Sequence, residues 1–431
     1  MSQAPVQDTL AAVWRIDAAR IVASVARLLR DLPWAEEIAQ EAFVTALERW
    51  PLDGLPDRPG AWLMTCARHR ALDALRHRQM RERQLGALGQ ELDAREVNIV
   101  PDFIDALDAA RQDEIGDDLL RLMFTACHPV LPTEGRVALT LKLLGGLGTA
   151  EIARAFLVSE ATLAQRIVRA KQKLREARVP FEAPRGEELA RRLPSVLEVI
   201  YLIFNEGYSA SAGEDWTRPE LAQEALRLAR MLAELMPQAA EAQGLAALLE
   251  LQSSRLKART DAQGRPVLLA EQDRGRWDRL LIRRGLHALE RAEALSHDGG
   301  RGPYTLQAAI AACHARAASA AATDWARIAT LYDELAQVNP SPVVELNRAV
   351  AVGMAFGPAQ GLAIVERLLE DGSLRQYPWL PSVHGELLAR LGRRDEARSA
   401  FLHAAQLAGN ASDKRLLVAR AQALAAPVGT A

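Results

Sequence analysis

The stretch TAEIARAFLVSEATLAQRIVRAKQKLR, residues 149–175, predicts two helices joined by a short turn. Thr149 and Ser159 stand where a side-chain hydroxyl can accept from first-turn amides, so we expect them to cap a short helix and a longer one. In the longer helix, apolar residues recur at helical spacing and predict a buried stripe. They are Leu163, Ile167, Ala170 and Leu174. The pattern is that of a helix-turn-helix.

The opposite face of the longer helix is polar and cationic. Its members are Thr162, Gln165, Arg166, Arg169 and Lys173. A major groove admits one helix, and reading it needs donors that reach base edges together with cations that neutralise phosphates. This face therefore predicts a DNA contact. The alternative is a solvated basic helix, because helix-turn-helix outlines also occur by chance in helical proteins.

Two helices upstream carry opposite charge. In WAEEIAQEAFVTALERW, residues 34–50, the face opposite the apolar one carries Glu37, Gln40 and Glu41, which favours a basic partner or a solubilising surface. In AWLMTCARHRALDALRHRQMRER, residues 61–83, Trp62, His69, Asp73 and Arg76 share the face away from the apolar stripe. A Trp beside cations is suited to stacking with unpaired bases, and core packing is the alternative for Trp62.

Periodicity and helix breakers divide the chain into four parts. We predict a helical domain at 8–80, an acidic linker at 81–116, a helix-turn-helix domain at 117–178 and a helical extension at 187–425. Within the extension, amphipathic helices follow Asp324, Gly357 and Asp395, at intervals of 33 and 38 residues. Such spacing predicts tetratricopeptide-like helix pairs, with an irregular bundle as the alternative.

The composition supports an all-α fold in more than one domain. Hydrophobic residues make up 49% of the 431 residues and aromatic residues only 5%, which favours many helices packed through small side chains. Three widely spaced cysteines predict neither a disulfide framework nor a Cys-x-x-Cys metal site. The start MSQAPVQDTL lacks signal-peptide features and no long uncharged apolar run follows, so we expect a cytoplasmic protein without a membrane span.

The sequence does not predict an enzyme or a cofactor. One polar and aromatic cluster opens the extension: Tyr201, Asn205, Glu206 and Tyr208. Glu206 could act as a base, but a lone carboxylate lacks the paired acid, nucleophile or metal that catalysis requires. We therefore expect the cluster to serve an interdomain or regulatory role.

Taken in order, these segments resemble the sigma-70 superfamily of RNA polymerase specificity subunits, and specifically the extracytoplasmic-function (group IV) sigma factors. AEEIAQEAFVTAL resembles the core-binding helix of the second sigma domain, and AWLMTCARHRALDALRHR the adjoining helix that melts and reads the minus-ten element. TAEIARAFLVSEATLAQRIVRAKQKLRE is similar to the helix-turn-helix that reads the minus-thirty-five element. From YLIFNEGYSAS onward, the chain resembles the subgroup with a tetratricopeptide-like C-terminal extension.

The resemblance implies roles for particular residues. Glu37, Gln40 and Glu41 would bind basic clamp helices of the polymerase largest subunit. The minus-ten strand would lie near Trp62, Arg68, His69, Asp73 and Arg76. The minus-thirty-five groove would lie near Thr162, Gln165, Arg166, Arg169 and Lys173. The extension would control activity in cis and offers a surface for a regulatory protein or ligand.

Two other hypotheses remain open from the sequence. The first is a one-component helix-turn-helix regulator that binds operators without polymerase and senses a signal through its repeat domain. Such a regulator has no use for the acidic Glu37 helix and usually dimerises to read paired half-sites. The second is an enzyme fused to a DNA-binding module, which would need a convergent catalytic set that the sequence lacks.

Overall fold

The computed structural model describes residues 4–86, 112–210, 216–296 and 300–425. Most of these residues lie in α-helices, which confirms the all-α prediction. The chain divides into two compact units, Met1–Val199 and Ile200–Ala431. Most of the predicted acidic linker, residues 87–111, lies outside the described ranges.

The first unit begins with three long helices. They are α1 (Ala4–Leu29), α2 (Leu32–Asp53) and α3 (Pro59–Gly86). Asp31 caps α2 by accepting a hydrogen bond from the amide of Trp34, and Pro33 occupies the first turn, where its missing N–H has no cost. Their apolar stripes meet in a core that includes Ile21, Trp50 and Leu63, each almost fully buried.

Five further helices follow, and the last of them continues into the second unit. They are α4 (Gln112–Ala126), α5 (Thr133–Leu143), α6 (Thr149–Ala155), α7 (Glu160–Glu176) and α8 (Gly186–Tyr208). The first half of α8 packs on the helices before it, because Arg192 donates to the carbonyl of Phe124 at 2.7 Å and Ser195 to that of Cys127 at 2.6 Å. These bonds satisfy carbonyl groups at the C-terminal end of α4.

The second unit is a series of helix pairs. After α8 come α9 (Pro219–Leu235), α10 (Ala240–Ser253), α11 (Arg279–Leu295), α12 (Pro303–Arg316), α13 (Trp325–Val338), α14 (Pro342–Ala355), α15 (Pro358–Asp371), α16 (Trp379–Arg390), α17 (Arg394–Leu407) and α18 (Ala411–Ala425). From α12 onward each helix packs on the next, as paired helices do.

The three predicted repeat starts coincide with alternate helices of this series. Asp324 caps α13 by accepting from the amide of Arg327 at 2.9 Å. Gly357 precedes α15 with φ of 114°, a conformation that L side chains rarely adopt. Asp395 lies in the first turn of α17. The spacing of these helix pairs therefore agrees with the prediction from the sequence.

One segment departs from the helix pairs. Residues 254–278, between α10 and α11, form three short 3₁₀ turns, at Leu256–Ala258, Leu269–Glu271 and Arg274–Arg276, and one isolated antiparallel bridge, between Thr260 and Pro266. Val267 donates to the carbonyl of Arg259 at 2.7 Å, which folds the segment back on itself.

Candidate nucleic-acid interface

Helix α7 presents the predicted polar face to solvent. Its N-terminus is capped by Ser159, whose hydroxyl accepts from the amide of Thr162 at 3.1 Å, as predicted. The predicted apolar stripe is buried in full: Leu163, Ile167, Ala170 and Leu174. On the other side Thr162, Gln165, Arg169 and Lys173 are exposed and Arg166 is half-buried. A 17-residue helix is about 25 Å long, enough to lie along a major groove.

The short helix before it starts differently from the prediction. Gly148, not Thr149, is the N-cap of α6, and the Glu151 carboxylate accepts from the Gly148 amide at 2.6 Å. Thr149 is instead the first helical residue. The correction has a physical reason, since a carboxylate three residues on can satisfy the cap amide without a capping hydroxyl. The turn to α7 passes through Leu157, whose φ is 51°.

Helix α2 carries the acidic surface. Glu37, Gln40 and Glu41 are exposed, while apolar residues of the same helix, including Ile38 and Phe43, are buried. The Glu41 carboxylate accepts from Arg70 of α3 at 2.9 Å. The surface therefore keeps its negative charge mainly at Glu37, with Glu41 partly neutralised by α3.

Helix α3 lies beside α2 and bears all five of the predicted minus-ten residues. His69, Asp73 and Arg76 are exposed, and Asp73 accepts from Arg76 at 3.2 Å. Trp62 is half-buried, with its ring edge-to-face against Trp50 at 5.6 Å between centroids. Trp62 and Asp73 both line an open cleft of about 530 Å³ between α2 and α3. Part of the Trp62 ring therefore packs against Trp50 and is not exposed to solvent.

Arg68 corrects the prediction for this set. Its side chain is buried, and its Nε donates to the Ser24 hydroxyl of α1 at 2.9 Å. A buried guanidinium bonded inside the three-helix bundle does not reach a nucleic acid on the surface. Arg68 therefore stabilises the bundle, and we remove it from the DNA-contacting residues.

Contacts between α2 and α7 were not predicted from sequence. Lys171 of α7 forms an ion pair with Glu36, whose side chain is only 6% exposed. Arg175 of α7 donates to Asp31, the cap residue of α2, at 3.2 Å. The acidic helix and the helix-turn-helix are therefore joined in this conformation by two ion pairs.

Two further contacts join α1 to later segments of the first unit. Trp14 of α1 donates through its indole N–H to the carbonyl of Gly146, just before α6, at 3.2 Å. Asp118 of α4 accepts from Arg121 at 2.6 Å and lies 3.2 Å from the Arg27 Nε of α1. Burial nevertheless raises the pKa of Asp118. These bonds act together with the two ion pairs between α2 and α7.

The predicted polar cluster of the extension is used within the second unit. Tyr201 donates to the side-chain oxygen of Gln307 at 3.0 Å, and Glu206 pairs with Arg218. Tyr208 stacks on Phe204, with ring centroids 5.4 Å apart. Asn205 accepts from Ser209 through its backbone carbonyl at 2.8 Å. The interdomain or regulatory role expected of these residues stays a prediction.

Within the described ranges, no group of three or more His, Cys, Asp or Glu side chains is placed to hold a metal ion. In that same part of the chain, none of the helices combines the length and the apolar character that crossing a bilayer requires.

Comparison with known families gives three matches along the chain. Residues 17–81 match Sigma-70 region 2, and residues 121–174 match Sigma-70, region 4. Residues 192–293 match a family of unknown function, DUF6596. The first two matches contain α2, most of α3 and nearly all of α7, which carry the surfaces described above.

Individual proteins are similar to this chain over most or part of its length. The chain is 45% identical over 406 residues to the uncharacterized protein R00370 of Rhizobium meliloti (strain 1021), covering 94% of this chain and 93% of the relative. It is 30% identical over 168 residues to the ECF RNA polymerase sigma factor SigK of Mycobacterium ulcerans, covering 37% of this chain and 81% of the relative. SigK of Mycobacterium tuberculosis (strain H37Rv) is 31% identical over 163 residues, covering 36% and 78%.

The region 2 match decides between the hypotheses left open by the sequence. A one-component regulator needs only the helix-turn-helix, whereas regions 2 and 4 together imply binding to core RNA polymerase and promoter DNA. Sigma factors are not enzymes. The chain therefore belongs to the ECF group of sigma-70 family RNA polymerase sigma factors and carries a helical C-terminal extension.

Proposed function

We propose that this sigma factor binds core polymerase through the acidic face of α2 and reads a two-part promoter through α3 and α7. The observation that carries the proposal is the exposed polar face of α7, which lies opposite a fully buried apolar stripe. Its residues Gln165, Arg166 and Arg169 supply the amide and guanidinium donors that read base edges and neutralise phosphates. Glu37, Gln40 and Glu41 supply the surface for basic helices of polymerase.

The minus-ten strand is assigned to Trp62, His69, Asp73 and Arg76. Their support is that three of them are exposed on one stretch of α3 and that Trp62 lines the cleft beside α2. An unpaired base can stack on the accessible part of an indole ring, and stacking is worth roughly 1–3 kcal/mol per base. Asp73 and Arg76 would then contact flanking groups.

Reading both elements requires α2 and α7 to separate. The minus-ten and minus-thirty-five elements lie about 25 base pairs apart, which is roughly 85 Å of duplex at ~3.4 Å per pair. Helices joined by the Lys171–Glu36 and Arg175–Asp31 pairs cannot occupy both elements at once. The conformation with these pairs formed is therefore a resting state, and promoter binding breaks them.

The extension regulates this opening in cis. In support, the family of unknown function begins at Arg192, inside the part of α8 that packs on the region 4 domain. Arg136 of α5 adds bonds to Ser195 at 2.6 Å and to Glu198 at 2.9 Å. The start of the extension is thus bonded to the helix-turn-helix domain, where a change in the extension can influence α7.

Run-off transcription with purified core polymerase tests the proposal. The template is a promoter drawn from the host's own candidate regulon. We expect wild-type protein to support promoter-dependent transcripts and Glu37→Lys/Glu41→Lys to abolish them, because both changes place cations against a basic partner. The matched control is Glu366→Lys/Glu370→Lys, two exposed glutamates of α15 with the same spacing. Full transcription by the α2 variant, or equal loss in both variants, would overturn the assignment.

A further inference from the structure

The irregular segment between α10 and α11 gathers three arginines around one group of aromatic rings. The arginines are Arg255, Arg259 and Arg274. The guanidinium of Arg259 lies 3.6 Å from the ring centroid of Tyr208 and 4.3 Å from that of Trp216. Arg255 lies 6.0 Å from Tyr208 and 5.8 Å from Trp277, which Arg274 approaches at 4.7 Å. The six side chains form one cluster, here called the arginine cage.

Positive charge in the arginine cage is poorly balanced. Among the described residues, none of the three arginines has a carboxylate within ion-pair distance. The acid that faces Arg259 is Asp413, and it accepts from the Trp216 indole at 2.9 Å. Burial raises the pKa of Asp413 and lowers that of Arg259. The fold therefore holds more buried cation than it neutralises.

The pKa of a neighbouring histidine, His314, is lowered, which is the direction that nearby positive charge produces. Burial first, and then Arg255 and Arg274, lower the pKa of His314 to about 4. Arg274 itself is well bonded, because it donates to the backbone carbonyl of Ala317 at 2.8 Å and also to that of His314. The arginines without such partners are Arg259 and, apart from one bond to Gln252, Arg255.

Several hydrogen-bond donors of the cage lack acceptors. In the described structure, the buried Nε of Arg259, the hydroxyl of Tyr208 and the indole N–H of Trp277 make no hydrogen bond of regular geometry, although the Arg259 guanidinium and the Tyr208 hydroxyl lie close enough to interact. Leaving a buried donor unpaired costs about 1–3 kcal/mol, and more for a charged group. Native proteins rarely keep several such groups together unless an ion or ligand completes them. An acceptor placed between Arg259 and Tyr208 would complete both groups.

We propose that the arginine cage is a binding site for a small oxyanion, a carboxylate or phosphate group, held by Arg259 with Arg255 and the Tyr208 hydroxyl. The donors form a charged set, and guanidinium N–H groups bind carboxylates and phosphates in pairs. The rings of Tyr208 and Trp216 hold the Arg259 side chain in place, so little rotamer freedom is lost on binding. Arg255 and Arg259 are half-buried, which leaves them accessible from solvent.

Thermal unfolding with and without sodium phosphate, at constant ionic strength, tests the site on the full chain. An anion that binds only the folded state raises the unfolding temperature in a concentration-dependent way. We expect saturable stabilisation of the wild type and at least tenfold weaker binding by Arg259→Gln. The control Arg393→Gln alters an exposed arginine with its own carboxylate partner, Glu396, and should bind phosphate within twofold of wild type. Sodium acetate at matched ionic strength separates a carboxylate ligand from a phosphate ligand.

Arg259→Lys keeps the charge but loses the paired donors, so it should fold as wild type and still bind phosphate more weakly. No saturable response of the wild type to either anion would overturn the proposal, as would an equal response in Arg259→Gln. Glu214 and Asp215 precede Trp216 in the sequence and lie outside the described residues. Anion binding seen only in Glu214→Gln/Asp215→Asn would mean that the chain's own acids neutralise the cage, which also contradicts the proposal.

Discussion

Arg175 of α7 donates through one terminal nitrogen to both carboxylate oxygens of Asp31, each at 3.2 Å, across 144 residues of sequence. Asp31 at the same time caps α2. One carboxylate therefore fixes the start of the helix assigned to polymerase and holds the helix assigned to the minus-thirty-five element. A substitution that keeps a capping side chain at residue 31 can therefore weaken the contact with Arg175 without removing the cap of α2.

Removing charge from Asp31 should favour the open conformation. Asn and Asp are about equally good N-cap residues. Asp31→Asn should therefore keep the cap of α2 and weaken the bond to Arg175. Arg175 is 62% exposed, and such pairs contribute at most about 1 kcal/mol. We expect an increase of up to about fivefold in affinity for core polymerase, measured by fluorescence anisotropy at low salt.

The matched control is Glu396→Gln, which removes the partner of Arg393 in the extension and should leave affinity unchanged. Adding Glu36→Gln to Asp31→Asn should increase the effect further, because Glu36 is the more buried acid. Affinity that is unchanged or reduced in Asp31→Asn would argue against a closed resting state.

Arg169→Ala should weaken promoter binding and reduce its salt dependence. If the exposed guanidinium neutralises one phosphate, the slope of log affinity against log salt falls by about 0.9. The measurement is equilibrium binding of sigma–polymerase to a labelled promoter between low and physiological salt. Arg398→Ala, an exposed arginine of α17, serves as the control. An unchanged slope together with unchanged affinity would remove Arg169 from the interface.

Acid should destabilise the second unit through His314. Its pKa is about 4 in the fold against about 6.5 unfolded, so the folded state favours the neutral ring. The stability is fully present above about pH 6.5 and is lost as pH falls toward 4, because the unfolded chain takes up the proton first. Between pH 7.5 and pH 5 the expected loss from this group is about 2 kcal/mol.

Urea unfolding followed by tryptophan fluorescence measures this loss, since His314 contacts Trp325 edge-to-face at 5.2 Å. His314→Phe should reduce the pH dependence by about that amount, whereas exposed His403→Gln should not. Equal pH dependence in wild type and His314→Phe would contradict the assignment.

The features that could be predicted from sequence are those set by local periodicity. The stripe from Leu163 to Leu174 repeats within one helix, and the Ser159 cap lies three residues from the amide that it accepts from. The starts of α13, α15 and α17 were marked by capping or breaking residues. Such signals lie within a few residues of the structure that they specify.

The features that could not be predicted depend on partners far away in the chain. Arg68 lies in a helix rich in arginine, and its burial and its bond to Ser24, 44 residues away, separate it from the exposed cations. The pairing of Asp31 with Arg175 leaves no periodic signal, and neither does the contact of Arg259 with Tyr208. In each case the partner is set by tertiary packing.

The most direct test of the account is the distance between α2 and α7 in the free and the promoter-bound protein. Dyes placed at exposed Leu52→Cys and Ala177→Cys, in a chain with its native cysteines replaced, report that distance by single-molecule energy transfer. At ~1.5 Å per helical residue, the labels lie at most about 45 Å apart when the ion pairs are formed. We predict high transfer in the free chain and low transfer in the complex with polymerase and promoter. High transfer that persists in a transcribing complex would contradict the opening on which the proposed function depends.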